Sequence, residues 1–288
     1  MYVMLSIPLT YVMIFHYVPM AGLQIAFKKL DLMAGIYSGD WVGFDNFRMF
    51  FSSYVFGRLI RNTLAISFYF LILAFPAPIL LALALNEVRS VKFKKTVQMV
   101  TYAPYFISTV VLVSIIMQIL SPYGGVVNNL IKAIGGQPVN FMGRPEFFRS
   151  IYVVSGVWQG AGYVSIVFIA ALTAVDPTLY EAARIDGATK LQKIRHIDVP
   201  ALLPTAITMM ILNIGTVMNV GFEKVYLMQN DMNITTSDVI STYVYQSGLV
   251  RGDYGYATAV GMFNSVINLL LVVLFNTLAR KYSNTSIW

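Results

Sequence analysis

The sequence predicts an all-α membrane protein with about six transmembrane helices, and three observations carry that prediction. Of the 288 residues, 57% are hydrophobic and only 11% charged, whereas a soluble domain uses roughly 25% charged residues to build its water-facing skin. The mean hydropathy is +0.68. The apolar residues also fall in blocks long enough to cross a bilayer core about 30 Å thick, which takes roughly 20 residues of helix. Lipid is the solvent such a chain requires.

The first block, 2–27, contains no Asp, Glu, Lys or Arg, although Pro8 and Pro19 interrupt it. It is too long for the core of a cleavable signal peptide, lacks a basic leader and is not followed by an A-x-A-like site. Its abrupt apolar start suggests a short polar tail before it. The second block, 59–86, carries Pro76 and Pro78. The others are 96–120, 151–174, 201–220 and 256–278. With no repeat or soluble segment visible, the chain reads as a single transmembrane domain over 1–288.

Orientation follows from the basic residues, which concentrate on cytoplasmic loops. If both termini are cytoplasmic, the inside pieces carry Arg89, Lys92, Lys94, Lys95, Arg184, Lys190, Lys193, Arg195, Arg280 and Lys281. The remaining basic residues are spread over roughly twice that length, beside more Asp and Glu. The formal charge of +7 therefore needs no nucleic acid to explain it. The outer segment Asp31–Arg58, with Trp41, Phe44, Phe47, Phe50, Phe51, Tyr54 and Phe56, reads as an interfacial aromatic belt with a surface helix.

The composition also excludes chemistry. There is no cysteine, hence no disulfide, thiolate nucleophile or cysteine metal site. The two histidines, His16 and His196, exclude a His-rich metal centre. No paired carboxylates, HExxH or nucleophile motif appears, so no catalytic residue and no metal ligand is assigned. No G-x-x-x-x-G-K-[ST] stretch exists to cradle ATP phosphates.

Between the fourth and fifth blocks, 176–200 forms an elbow. Asp176 is a good N-cap and Pro177 suits the first helical position. Strong helix formers run to Asp186, and Gly187 stops the helix, since glycine reaches the left-handed conformation without penalty. A second short helix is expected over Thr189–Ile197, with Pro200 starting the return to the membrane. Apolar Leu179, Tyr180, Ala183 and Ile194 alternate with charges, a pattern suited either to a groove on another protein or to a solvated loop.

The run Glu181-Ala182-Ala183, Asp186-Gly187-Ala188, Ile197 and Val199-Pro200 resembles the E-A-A-x-x-D-G-A…I-x-L-P pattern of ABC importer permeases, with Val199 in place of leucine. The likeness extends to Val42-Gly43-Phe44-Asp45-Asn46-Phe47 and Arg61-Asn62-Thr63-Leu64. Phe75-Pro76-Ala77-Pro78, Asn86-Glu87-Val88-Arg89, Gly221-Phe222-Glu223 and Asp238–Tyr245 resemble the LplB-like polysaccharide branch, which includes alginate importers. The resemblance implies the MetI-like permease fold in a bacterial cytoplasmic membrane. It implies the elbow as a coupling helix, with Glu181, Ala182, Ala183, Asp186, Gly187, Ala188 and Pro200 facing a cytosolic ATPase. It also implies a second related permease in a heterodimer, two ATPase subunits holding ATP and Mg, an extracytoplasmic solute-binding protein and an oligosaccharide substrate.

Polar side chains inside a span are costly and mark candidate pathways. Gln118, Trp158, Gln159, Tyr163, Asn213, Asn219 and Asn264 meet that description, and aromatic faces with amides suit sugars. Interhelical hydrogen bonding and interfacial anchoring explain the same residues equally well. Another polar solute would suit the same pattern. An ATP-independent secondary transporter would need intramembrane acids, which the blocks lack apart from boundary residues such as Glu87 and Glu223.

Overall fold

The computed structural model describes residues 2–30, 35 and 39–283, so 31–34 and 36–38 of the aromatic outer segment lie outside the described residues. Among the described residues, five helices are long and apolar enough to cross a membrane: Met4–Phe27, Phe56–Asn86, Pro145–Thr173, Lys190–Ile214 and Tyr254–Lys281. A sixth exists if Val91–Phe106 and Thr109–Leu120 count as one span, but the pair is bent by 103°.

The fourth helix starts earlier than expected, at Pro145, and three further differences change the path of the chain, each for a local reason. The block 96–120 is not one straight helix. Pro104 sits in a 3₁₀ turn, Ile107 is extended, and the Ser108 side chain caps a fresh helix by accepting from Val111 N. The fifth block, expected over 201–220, is helical only to Ile214. Residues 215–220 fold into turns closed by bonds such as Asn219 N to Thr216 O at 2.8 Å. At its other end, the short helix expected over Thr189–Ile197 is present from Lys190, capped by Thr189, but runs on into the span instead of ending before it. A π-turn over Ile194–Asp198 leads straight into Val199–Ile214. Pro200, which has no N–H to give, enters in the first turn after that bulge.

The chain divides into two compact units, Met1–Thr63 with Asp238–Ile267, and Leu64–Ser237 with Asn268–Trp288. In the first, Lys28–Lys29 pairs antiparallel with Asp40–Trp41, and Asp45–Ser52 is a short helix. Buried Asn46 ties that helix down by donating to Ala26 O at 2.8 Å and Lys28 O at 3.2 Å. The aromatic residues are not a simple belt. Trp41, Phe44 and Tyr54 are exposed, but Phe50 is fully buried, edge-on to Phe56 and Phe263 at 5.1 and 5.5 Å.

Polar groups join the same unit across a long sequence gap. Arg58 pairs with Asp238 at 2.8 Å, Asn62 donates to Asp238 O at 3.0 Å, and Ile240 N donates to Thr63 Oγ1 at 3.1 Å. Burial pushes the Asp238 carboxyl above its usual range, opposed by the Arg58 guanidinium.

In the second unit, Pro145–Thr173 is the axis. Pro76–Asn86, Val91–Tyr102, Val199–Ile214 and Ile234–Ser237 all pack on it. Val91–Tyr102 approaches at Gly162, where a Cβ would overlap the Thr101 carbonyl. One apolar cluster, of Ala82, Leu83, Phe168, Leu172 and Leu202, locks 76–86, 145–173 and 199–214 together, with Ile194 of the elbow packed against it.

Gly162→Ala is expected to push 91–102 off the axis and cost about 1–3 kcal/mol, the usual penalty for overpacking. Gly160→Ala, where a Cβ meets nothing within 4 Å, serves as its control. Thermal melting of the detergent-solubilised protein reads the difference.

Candidate functional site

Among the described residues of the second unit, candidate side chains gather in two places, the elbow and a cavity. In the elbow, Pro177–Ile185 is helical, and Asp176 caps it by accepting from Thr178 N at 2.9 Å. That bond holds the Asp176 carboxyl below its ordinary range. The helix ends as a Schellman motif: Ala188 N donates to Ala183 O at 2.8 Å, and Gly187 N to Arg184 O at 3.1 Å. Gly187 has φ +72, the left-handed value this stop requires. The spacing of the motif thus has a backbone explanation. Ala183 and Ala188 are the two ends of the closing bond, and Gly187 is its pivot. Glu181, Ala182, Asp186 and Gly187 are exposed, Ala183 and Ala188 half-buried, and Pro200 exposed at the base of the next helix.

After the turn, Thr189 and Gln192 form a capping box. The elbow's outer surface is apolar at its corners, with Ile185 87%, Leu191 73% and Leu179 51% exposed. Its inner side borders a polar recess of about 390 Å³ lined by Asn86, Glu87, Arg89, Glu181, Arg184 and Lys190. Burial, and then the bond it gives to Asp198, pushes the Tyr180 phenol up to about 12.

The cavity, about 210 Å³, is lined by Ser67, Tyr152, Asn213, Thr216, Asn219 and Gly221 among apolar residues. Asn213 and Asn219 are therefore brought together. Asn268 Nδ2 donates to Asn219 Oδ1 at 3.1 Å while Asn268 Oδ1 accepts from Met218 N at 3.1 Å, fixing the turn that carries Asn219. The Ser67 hydroxyl donates to Val217 O on the same turn. Gly221 N donates to the Tyr152 hydroxyl at 3.1 Å. Behind the tyrosine, buried Lys224 donates to Tyr152 O at 3.1 Å and lies 4.9 Å from the ring centroid.

The other predicted pathway residues stand elsewhere. Gln159 donates to Ile107 O at 3.2 Å, at the break in the bent pair. Tyr163 stacks on Tyr105 at 3.9 Å and Trp158 is 51% exposed. Gln118 is exposed near the end of Thr109–Leu120. Asn264 belongs to the other unit. Tyr152, Thr216 and Ser67 were not singled out from sequence. Tyrosine, threonine and serine are ordinary in apolar helices, and only the fold marks these three.

The family model for the binding-protein-dependent transport system inner membrane component matches residues 74–284. The polygalacturonan/rhamnogalacturonan transport system permease protein YteP of Bacillus subtilis (strain 168) is 42% identical over 288 residues, covering all of this chain and 90% of that one. A crystal structure of a bacterial ABC transporter involved in import of the acidic polysaccharide alginate superposes with TM-score 0.92 at 42% identity, covering 98% of this chain and 95% of that one. A bacterial alginate ABC transporter in complex with an alginate pentasaccharide-bound periplasmic protein superposes equally well, with TM-score 0.92 at 42% identity over 99% of this chain and 96% of that one.

Burial pushes the Lys224 ammonium down from 10.5 to about 8. Its folded value lies below its unfolded one, so the unfolded chain holds more protons between those pH values, and stability rises as pH rises through that window. Melting temperature is expected to climb from pH 7.5 to pH 10 in the wild type, with that increment lost in Lys224→Met.

Proposed function

The chain belongs to the family of binding-protein-dependent transport system inner membrane components, and from that premise we propose that it is the permease subunit of an ATP-driven importer of acidic oligosaccharides. The elbow supports this reading most directly. A capped helix with Leu179 and Ile185 bare to solvent turns sharply at Gly187 and is followed at once by a helix, bare at Leu191, that runs from Lys190 into a span. Exposed apolar corners on a rigid element fit a protein groove. A push on that element reaches the membrane directly.

In this reading the elbow seats in a cytosolic ATPase, which holds ATP and Mg and does the hydrolysis. Glu181, Ala182, Ala183, Asp186, Gly187, Ala188 and Pro200 form or shape the docking face. A second, related permease completes the pathway, two ATPase subunits drive it, and a solute-binding protein delivers the sugar. The protein sits in a bacterial cytoplasmic membrane with both termini cytoplasmic, the arrangement that puts the densest basic segments inside. All of 1–288 works as one permease domain.

The substrate class is carried over from the relatives that handle polygalacturonan and alginate. Asn213 and Asn219 offer amides to hydroxyls, and Tyr152 offers a phenol, in a cavity that is otherwise apolar. Gln118, Trp158, Gln159, Tyr163 and Asn264 would act along the same route or support its walls.

Gly187→Leu strains the left-handed stop, and Glu181→Lys reverses an exposed charge of the elbow motif. Each is expected to lower sugar-stimulated ATP hydrolysis of the reconstituted complex by roughly tenfold, a coupling loss of ordinary size, with membrane insertion intact. Affinity purification of the tagged chain from membranes is expected to recover an ATPase and a second permease. Recovery of a homo-oligomer that transports without ATP would defeat the reading.

A further inference from the structure

The inner side of the elbow holds contacts that docking does not need. Asp198 is fully buried at the foot of the helix that continues to Ile214. The Tyr180 hydroxyl, from the elbow helix 177–185, donates to Asp198 Oδ1 at 2.5 Å. Asn86, the last residue of Pro76–Asn86, donates to the same oxygen at 3.4 Å. One residue on, Glu87 lies 4.0 Å from Lys193 Nζ, both side chains largely covered. The other Asp198 oxygen, Oδ2, is buried and has no hydrogen-bond partner.

The backbone is shaped to put Asp198 there. Residues 194–198 form a π-turn closed by Val199 N on Ile194 O. One residue of slip turns a side chain by about 100° around a helix axis, so the bulge decides which way position 198 faces. Stability alone would not choose this arrangement, since a buried carboxylate with an open oxygen costs free energy that a leucine would not. What the carboxylate adds is register. A hydrogen bond fails once its partners slip by about 1 Å or turn away, while apolar side chains slide against each other at little cost.

We propose that Asp198 is a positioning residue for coupling: through Tyr180 and Asn86 it locks the elbow helix in register with the ends of both 76–86 and 190–214. Movement of the elbow then passes to two spanning helices as one rigid body, rather than being absorbed in the turn at Gly187. This rests on the elbow being the ATPase-docking element.

The test uses the complete reconstituted transporter, with nitroxide labels at exposed Thr178 on the elbow helix 177–185 and exposed Leu80 on 76–86. Pulsed electron–electron resonance measures their separation with and without ATP. In the wild type, one narrow distance is expected in both states. In Tyr180→Phe and Asp198→Ala, which remove the donor and the acceptor of that contact, adding ATP is expected to shift or broaden it by a half-turn of helix, about 2–3 Å. The double variant Tyr180→Phe/Asp198→Leu replaces the polar contact with an apolar one, so it should melt no lower than wild type yet still show the ATP-dependent spread. A well-folded double variant that keeps the wild-type distance would overturn the proposal, as would a wild-type distance that itself changes with ATP. Failure to co-purify an ATPase would instead count against the docking reading, so the two failures are separable.

Discussion

Close approach at the helix 145–173 is the constraint on which the second unit depends. Lipid gives apolar helices no hydrophobic reason to leave it for one another, so association rests on shape and on polar contacts. This helix supplies shape with small residues. At Gly162 there is room for the Thr101 backbone, and near Gly156 the Phe70 ring comes within 2.7 Å of where a Cβ would stand. The apolar cluster around Phe168 and Leu172 then fastens 76–86 and 199–214 to the same axis. The elbow, the cavity and the bent pair all take their positions from this one helix.

Polar side chains do the second part of the work, mostly as struts for irregular backbone. Where a helix breaks away from water, its freed carbonyls and amides need partners from neighbouring helices. Gln159 satisfies Ile107 O at the bend. Asn268 satisfies Met218 N, and Ser67 satisfies Val217 O, in the turn after Ile214. The cavity exists because that turn exists. A helix continued to Val220 would fill the space with its own backbone and point Asn219 elsewhere.

At the elbow, two opposite requirements meet within a few residues. In the function we propose, the outer corners are bare to engage another protein, while the inner side is held firmly enough to transmit force. The Schellman stop at Gly187 sets the angle, the capping box at Thr189 stiffens the restart, and the buried Tyr180–Asp198 contact joins the two arms. The polar recess behind the elbow keeps charges such as Glu181, Arg184 and Lys190 solvated, so none is stranded in the apolar layer.

Sequence alone determined the solvent, the class and the elbow's first arm. Apolar block length reports a bilayer crossing without reference to any partner. Asp176, Pro177 and Gly187 act through their own backbone conformations, so the cap, start and stop of the helix 177–185 were legible from residue type. The family was legible too, through the resemblance of the run from Glu181 to Pro200 to the motif of ABC importer permeases. What only the tertiary structure decided were features that depend on a neighbour: the bend at 104–108, the end of the fifth helix at Ile214, its unbroken start at Lys190, and the split of the polar residues into cavity wall and strut. Asn219 lines the cavity while Gln159 props a bend, yet both read from sequence as amides in apolar blocks. Residue type alone does not set Asp198 apart from the other acids of 176–200. Its burial follows from a π-turn and from two helices distant in sequence, and neither leaves a periodic trace in the chain.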